Sequence, residues 1–185
     1  MWRRGRSFVG LFSIVALGLA AVTGAGISSA VAAGSGGMPL ELRLEGASGQ
    51  MRRASPKVGR SAVFVYEGRE AMDENVAFKE ELLAYMLAHP AASIDVAAIA
   101  DVRGLNFFPI NEFVRLAVQQ ASVRTSTEVL LDWKGRWGDT FGCPRGVSTV
   151  IVIGRDGREL FRHSGRLSDE QRLSVLQMID GVAAP

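Results

Sequence analysis

The chain has one cysteine, Cys143, in the run Gly142-Cys143-Pro144-Arg145-Gly146-Val147-Ser148. A single thiol cannot close an internal disulfide. It can act only as a thiolate nucleophile or form a mixed disulfide with an outside thiol, and either use requires a lowered pKa. Arg145, two residues away, is a charge that can stabilise a thiolate. The other reading is a loop cysteine with ordinary pKa. His89 and His163 lie far from Cys143 and from each other. A zinc or copper centre needs three or four soft ligands grouped in space, so no metal site and no cofactor is expected. The carboxylates Glu67, Glu70, Asp73 and Glu74 are close enough in sequence to flank a general acid–base site or a hard cation. The simpler reading of them is a solvated turn and helix start. Trp133, Trp137 and Phe141 sit in a glycine-rich segment. They form either an aromatic binding patch or a loop packed over the core by its own rings. No phosphate-binding loop, serine nucleophile or dinucleotide motif is present.

Hydrophobic periodicity supplies the elements that would position these groups. Ser61-Ala62-Val63-Phe64-Val65-Tyr66 is a short apolar and β-branched run between Gly59 and Gly68, as expected of a central strand covered on both faces. Asp73 is the expected cap of the next helix, in which Phe78, Leu82, Tyr85 and Met86 recur at helical spacing until Pro90 stops it. Residues 94–102 read as a strand. Pro109 opens a helix carrying Ile110, Phe113, Val114, Ala117, Val118 and Ala121 on one stripe. Residues 129–133 and 150–153 are further strands, the latter turning through Gly154-Arg155-Asp156-Gly157 into an antiparallel partner at 159–163. Ser168 and Gln171 form a capping box for a final helix whose Leu173, Leu176 and Ile179 can cover the sheet.

At 185 residues the chain holds one domain and a leader. Met1-Trp2-Arg3-Arg4-Gly5-Arg6, an apolar run over about 8–27 and the small residues Ala30-Val31-Ala32 follow the order of a secretory signal, giving a signal peptide at 1–32. The alternative is a retained membrane anchor, since the apolar run is long enough to span. Residues 33–60 are expected to be irregular with an edge strand at Leu40-Glu41-Leu42-Arg43-Leu44, and 61–182 to form the domain. Removing the three leader arginines from 21 basic residues leaves 18 against 19 acidic ones. The basicity belongs to the leader, and no nucleic-acid footprint remains. Once the signal is cleaved, no membrane contact is expected, and the location is periplasmic.

The segment 142–149 resembles the stretch that leads into the cis-proline strand of thioredoxins, with Arg145, Gly146 and Val147 at matching places and Ser148 where that family has its proline. The chain is also similar over roughly 62–179 to the YtfJ family of exported thioredoxin-like proteins. The matching residues are Glu67-Gly68-Arg69 with Asn75, Pro109-Ile110-Asn111, Ser148-Thr149-Val150-Ile151-Val152 with Asp156-Gly157, and Gly165-Arg166-Leu167-Ser168-Asp169. The resemblance implies an α/β fold, a thioredoxin-like three-layer α/β/α sandwich with a mixed central sheet. It also implies that the dithiol is gone, because residues 67–75 contain no cysteine. Ser148 removes the reason for a cis peptide, which costs about 2.5–4 kcal/mol without proline. The resulting expectation is a non-catalytic binding module for a protein or peptide, with Arg69, Glu70, Asp73, Trp137, Arg145 and Ser148 lining its cleft. The alternative is a monothiol redox protein working through Cys143.

Overall fold

The computed structural model describes residues 42–57, 59–125 and 127–183. The leader and the first two residues of the expected edge strand, Leu40 and Glu41, lie outside that set. Seven strands form one sheet: β1 (Arg43–Gly46), β2 (Met51–Arg53), β3 (Ser61–Gly68), β4 (Ile94–Asp101), β5 (Glu128–Asp132), β6 (Thr149–Ile153) and β7 (Glu159–Ser164). Four helices accompany them: α1 (Val76–Ala88), α2 (Ile110–Thr125), α3 (Arg136–Thr140) and α4 (Asp169–Ala183). The strand order is β2-β1-β5-β4-β3-β6-β7. β3, β4 and β5 run parallel, and the remaining pairings are antiparallel.

β3 is the keystone because both of its faces are covered. Strand alternation sends Ala62, Phe64 and Tyr66 to one face, where they meet Ile99, Leu130, Ile151, Trp137 and Phe141. Val63 and Val65 point the other way, to Phe78 and Leu82 of α1 and Val175 and Ile179 of α4. α2 lies on this second face too, since Arg115 meets Glu45, the strand neighbour of Leu44, which belongs to the first face. The result is the expected three-layer sandwich with a mixed sheet.

Several local expectations meet a different outcome. The strand near residue 44 is not at the edge: β1 sits between β2 and β5, and the 42–60 stretch adds two strands rather than an irregular arm. With β2 on one side and β5 on the other, β1 has partners for backbone groups along both of its edges. Asp73 does not cap α1. Asn75 occupies the cap position, and its side chain makes no cap hydrogen bond because it is committed elsewhere. In α4 the fully buried residues are Val175 and Ile179, whereas Leu173 is 61% exposed. The capping box does form, with Gln171 N–H donating to Ser168 Oγ at 3.2 Å and Ser168 N–H donating to Gln171 Oε1 at 2.9 Å.

The glycine-rich aromatic segment packs inward. Asp132, itself buried, accepts from the N–H groups of Trp137 and Gly138 at 2.9 and 3.1 Å, which starts α3 directly after β5. Trp137 is fully buried, its Nε1 donates to Ala54 O at 2.6 Å, and its ring stacks on Tyr66 at 5.5 Å and contacts Phe141 at 4.2 Å. Gly138 makes this stack possible, because a Cβ there would fall 2.3 Å from the Tyr66 hydroxyl. Trp133 is held differently, donating to Glu45 at 2.8 Å beneath the Arg115 guanidinium. Trp137→Ala should therefore cost about 3–5 kcal/mol, measured as a fall in the midpoint of urea unfolding.

Candidate functional site

The carboxyl end of β3, the start of α1, the start of β6 and the β7–α4 connection meet at one point. Glu67 follows Tyr66 on the α1 side of the sheet. Its Oε2 accepts from Lys79 Nζ at 2.7 Å, and its Oε1 accepts from the Ser148 hydroxyl at 2.8 Å. Asn75 spans the same point: its Nδ2 donates to Ser148 Oγ at 2.8 Å and to Gly165 O at 3.0 Å, and its Oδ1 accepts from Leu167 N–H at 2.8 Å. Ser148 N–H donates to Glu74 Oε2 at 2.9 Å, while Gly165 N–H donates to Ser148 O at 2.7 Å. Lys79 Nζ also donates to Met72 O at 2.7 Å.

Ser148 and Asn75 are buried, and every polar atom of their side chains is used. Burial pushes the Glu67 carboxyl above the usual carboxylate range, with the Lys79 ammonium and the Ser148 hydroxyl opposing the rise. The turn at 67–74 is thus not uniformly solvated. Glu67 is drawn into the protein, while Glu70 and Asp73 stay exposed. Strand parity puts Glu67 over α1 rather than in water, and Lys79 one helical turn into α1 completes the pair.

Beside the network opens a cleft of about 760 Å³ between the first turns of α1 and α4, lined by Asp73, Glu74, Asn75, Arg166, Ser168 and Asp169 among others. Of the residues expected to line a cleft, Asp73 does so. Arg69 and Glu70 are exposed in a single 3₁₀ turn at Arg69–Ala71, and Arg145 is exposed in the loop before β6. Ser148 lies beneath the surface, at the centre of the network. Trp137, expected at the cleft, is instead a fully buried core residue on the opposite face of the sheet, because its ring is packed on Tyr66 and Phe141. Sequence reasoning missed Lys79, which carried only a solvated helix charge as its signal, and Arg166, whose neighbours Leu167 and Ser168 marked the segment. No cluster of three or more His, Cys, Asp or Glu side chains able to hold a metal occurs among the described residues.

A second polar group lies at the ends of β3 and β4 on the Trp137 side. Arg103 donates to Asp101 from Nε at 2.8 Å, to Asp139 at 3.0 Å and to the Tyr66 hydroxyl at 3.3 Å. Burial opposes ionisation of Asp101, but the Arg103 guanidinium outweighs it and holds the carboxyl below its ordinary value. Gly135, with φ +70°, leaves the room this arginine needs, since a Cβ there would overlap its side chain at 2.1 Å.

Cys143 is 7% exposed and packs in the Trp137 cluster. Its N–H donates to Gly138 O at 2.8 Å. Burial pushes the thiol up to about 12, although the Arg162 guanidinium pulls the other way. The charge facing it is Arg162 rather than Arg145. His163 Nδ1 lies 3.2 Å from Gln171 Nε2, and His89 Nδ1 lies 3.0 Å from Tyr85 O.

No protein-family profile matches the chain, and no curated protein matches it. Solved structures do. A secreted Mycobacterium tuberculosis disulfide oxidoreductase homologous to E. coli DsbE superposes with TM-score 0.56 at 14% identity, covering 77% of this chain and 96% of its own. A thiol-disulfide oxidoreductase from Bacteroides fragilis gives 0.56 at 14%, over 78% and 99%. The exposed lipoprotein thioredoxin Etrx1 of Streptococcus pneumoniae gives 0.54 at 17%, over 76% and 98%. The chain has the thioredoxin-like fold.

Within that thioredoxin-like scaffold the described residues contain one cysteine and no disulfide. The peptide before Ser148 is not cis; the cis bond among the described residues is Phe108–Pro109. Two measurements test the site. Ser148→Ala leaves Glu67 and Asn75 each short of a buried partner, so it should lower stability by about 1–3 kcal/mol. A cycle with Asn75→Ala should show coupling of about 0.5–3 kcal/mol in denaturant titrations. Separately, Cys143 in the folded protein should react slowly with iodoacetamide at neutral pH and speed up only as pH climbs towards 12. Unfolding should restore ordinary thiol reactivity. Because the unfolded thiol ionises first, Cys143 also makes stability fall as pH rises from about 9 towards about 12.

Proposed function

We propose that this protein is an exported, periplasmic, thioredoxin-like binding module without dithiol chemistry, which recognises a protein or peptide through the cleft between α1 and α4. The observation that carries this reading is the Glu67–Ser148–Asn75 network. A dithiol site needs an accessible thiol with lowered pKa at a helix start and a second thiol to resolve the mixed disulfide. Here the start of α1 carries Asn75, and its amide is hydrogen-bonded to the serine that stands in the place of the proline. Such an arrangement stores no reactive group. What it supports is a fixed floor beneath an open cleft, with Asp73 and Arg166 on its rim.

Membership of the YtfJ family is part of the proposal. Its support is that the separate short motifs behind the resemblance converge: Glu67, Asn75, Ser148, Gly165 and Leu167 are joined by the hydrogen bonds of one network. Motif residues as far as 92 positions apart in the chain are thus neighbours for a common physical reason. Export rests on the charged, apolar and small-residue order of the leader, and is in keeping with the secreted oxidoreductase and the exposed lipoprotein among the fold neighbours. No helix among the described residues is long and apolar enough to cross a membrane.

The monothiol reading requires Cys143 to meet an outside thiol. Its burial and raised pKa count against that role, since the thiolate is the reacting species. Pull-downs with the wild type, Cys143→Ser and the cleft variant Arg166→Glu, each with and without reductant, separate the two. The binding module keeps its partners in Cys143→Ser and under reductant, and loses at least tenfold in affinity in Arg166→Glu. Partners that vanish on reduction and in Cys143→Ser would establish thiol exchange instead.

A further inference from the structure

α2 has two unlike sides. Ile110, Val114, Val118 and Ala121 are turned inward, and Arg115 ties the helix down through Glu45 at 2.6 Å. On the outer side Phe113 is 61%, Leu116 52% and Val123 76% exposed, and Gln120 is exposed between them. Phe107 and Phe108, in the approach to the helix, are 55% and 83% exposed. Five of the ten large apolar side chains exposed among the described residues therefore sit on this one helix and its entry. The expected stripe does not explain them. Its Phe113 and Ala117 are exposed, and the outer residues form a stripe of their own.

The outer stripe has the spacing of a helix-pairing seam. Positions 113, 116, 120 and 123 step by three, four and three, the a and d positions of a heptad, with Phe113 and Gln120 at a and Leu116 and Val123 at d. We infer that this seam pairs with α2 of a second copy of the chain, the two helices lying side by side and parallel about a two-fold axis. Area is the first reason. The five apolar side chains expose on the order of 600 Å², close to the roughly 800 Å² that each partner contributes to a standard interface. Chemistry supplies the second reason and the direction. In a parallel pair the lone polar seam residue, Gln120, meets its own counterpart, and the two amides can satisfy each other, as a single polar a residue does when it fixes register. Glu112 then faces Ala117 of the second copy and Gln119 faces Arg124, so no like charges meet. An antiparallel pair would set the Gln120 amide against Leu116 and leave the two Phe107-Phe108 entries at opposite ends. The parallel pair gathers them at one end and buries them together.

Sedimentation equilibrium of the protein as isolated from its cells tests this over a wide range of concentration. The wild type should show a reversible monomer–dimer equilibrium. Leu116→Glu should raise the dissociation constant on the order of 30-fold, and Val123→Glu, one seam layer away, should act in the same direction. Both side chains are exposed, so circular dichroism should remain that of the wild type. In a Cys143→Ser background, Gln120→Cys should form an intermolecular disulfide under mild oxidation. A wild type that stays monomeric throughout, or glutamate variants that leave the constant unchanged, would overturn the pairing. A dimer in which Gln120→Cys does not cross-link would overturn the parallel arrangement.

Discussion

The buried contact between Asn75 and Ser148 is the constraint around which the rest of the site is arranged. An amide and a hydroxyl withdrawn from water are costly unless every donor and acceptor finds a partner. Here the partners come from four directions: Glu67 from β3, the β7–α4 connection through Gly165 and Leu167, Lys79 acting through Glu67, and Glu74 at the Ser148 N–H. Satisfying the pair therefore fixes the relative positions of β3, β6, α1 and α4. It also explains why α1 begins without a side-chain cap, since its natural capping residue is spent on tertiary contacts.

On the opposite face of the sheet the same end of β3 is held by ring packing and a partly buried arginine. Tyr66 stacks on Trp137, and its hydroxyl accepts from Arg103, which also grips Asp101 and Asp139. Cys143 is a by-product of that packing. It fills space beside Phe141 and Trp137, and the low dielectric that suits the rings is what makes its thiol hard to ionise. One residue type thus changes meaning with its surroundings: in a wet loop beside an arginine it would be a nucleophile, and in this cluster it is a small apolar side chain.

Much of the fold was legible in the chain because its signals are local. The apolar run of β3, the Asp156-Gly157 turn, the stop at Pro90 and the Ser168–Gln171 box each depend on residues a few positions apart, and each element forms close to its expected bounds. The site was legible only in part. Asn75, Ser148 and Glu67 could be singled out by resemblance, but a solvated turn and a buried network have the same residues in the same order. Trp137 misled because a tryptophan among glycines suits both a binding patch and a packed loop. The choice was made by Gly138, which lets the Tyr66 hydroxyl come close enough for the rings to stack.

The sequence by itself determined the order of β3 to β7 and of the three long helices, the two-sided burial of β3 and the absence of a second thiol, since periodicity and residue type carry that information without reference to distant positions. Only the tertiary structure decided that β1 lies inside the sheet, that Glu67 is drawn inward while Asp73 faces the cleft, and that the outer stripe of α2 is left uncovered. Those outcomes turn on which surfaces meet. Pairs such as Asn75 with Leu167, 92 positions apart, are brought together by the crossing of β3, β6 and the terminal helices, and their burial is a property of that crossing rather than of either residue.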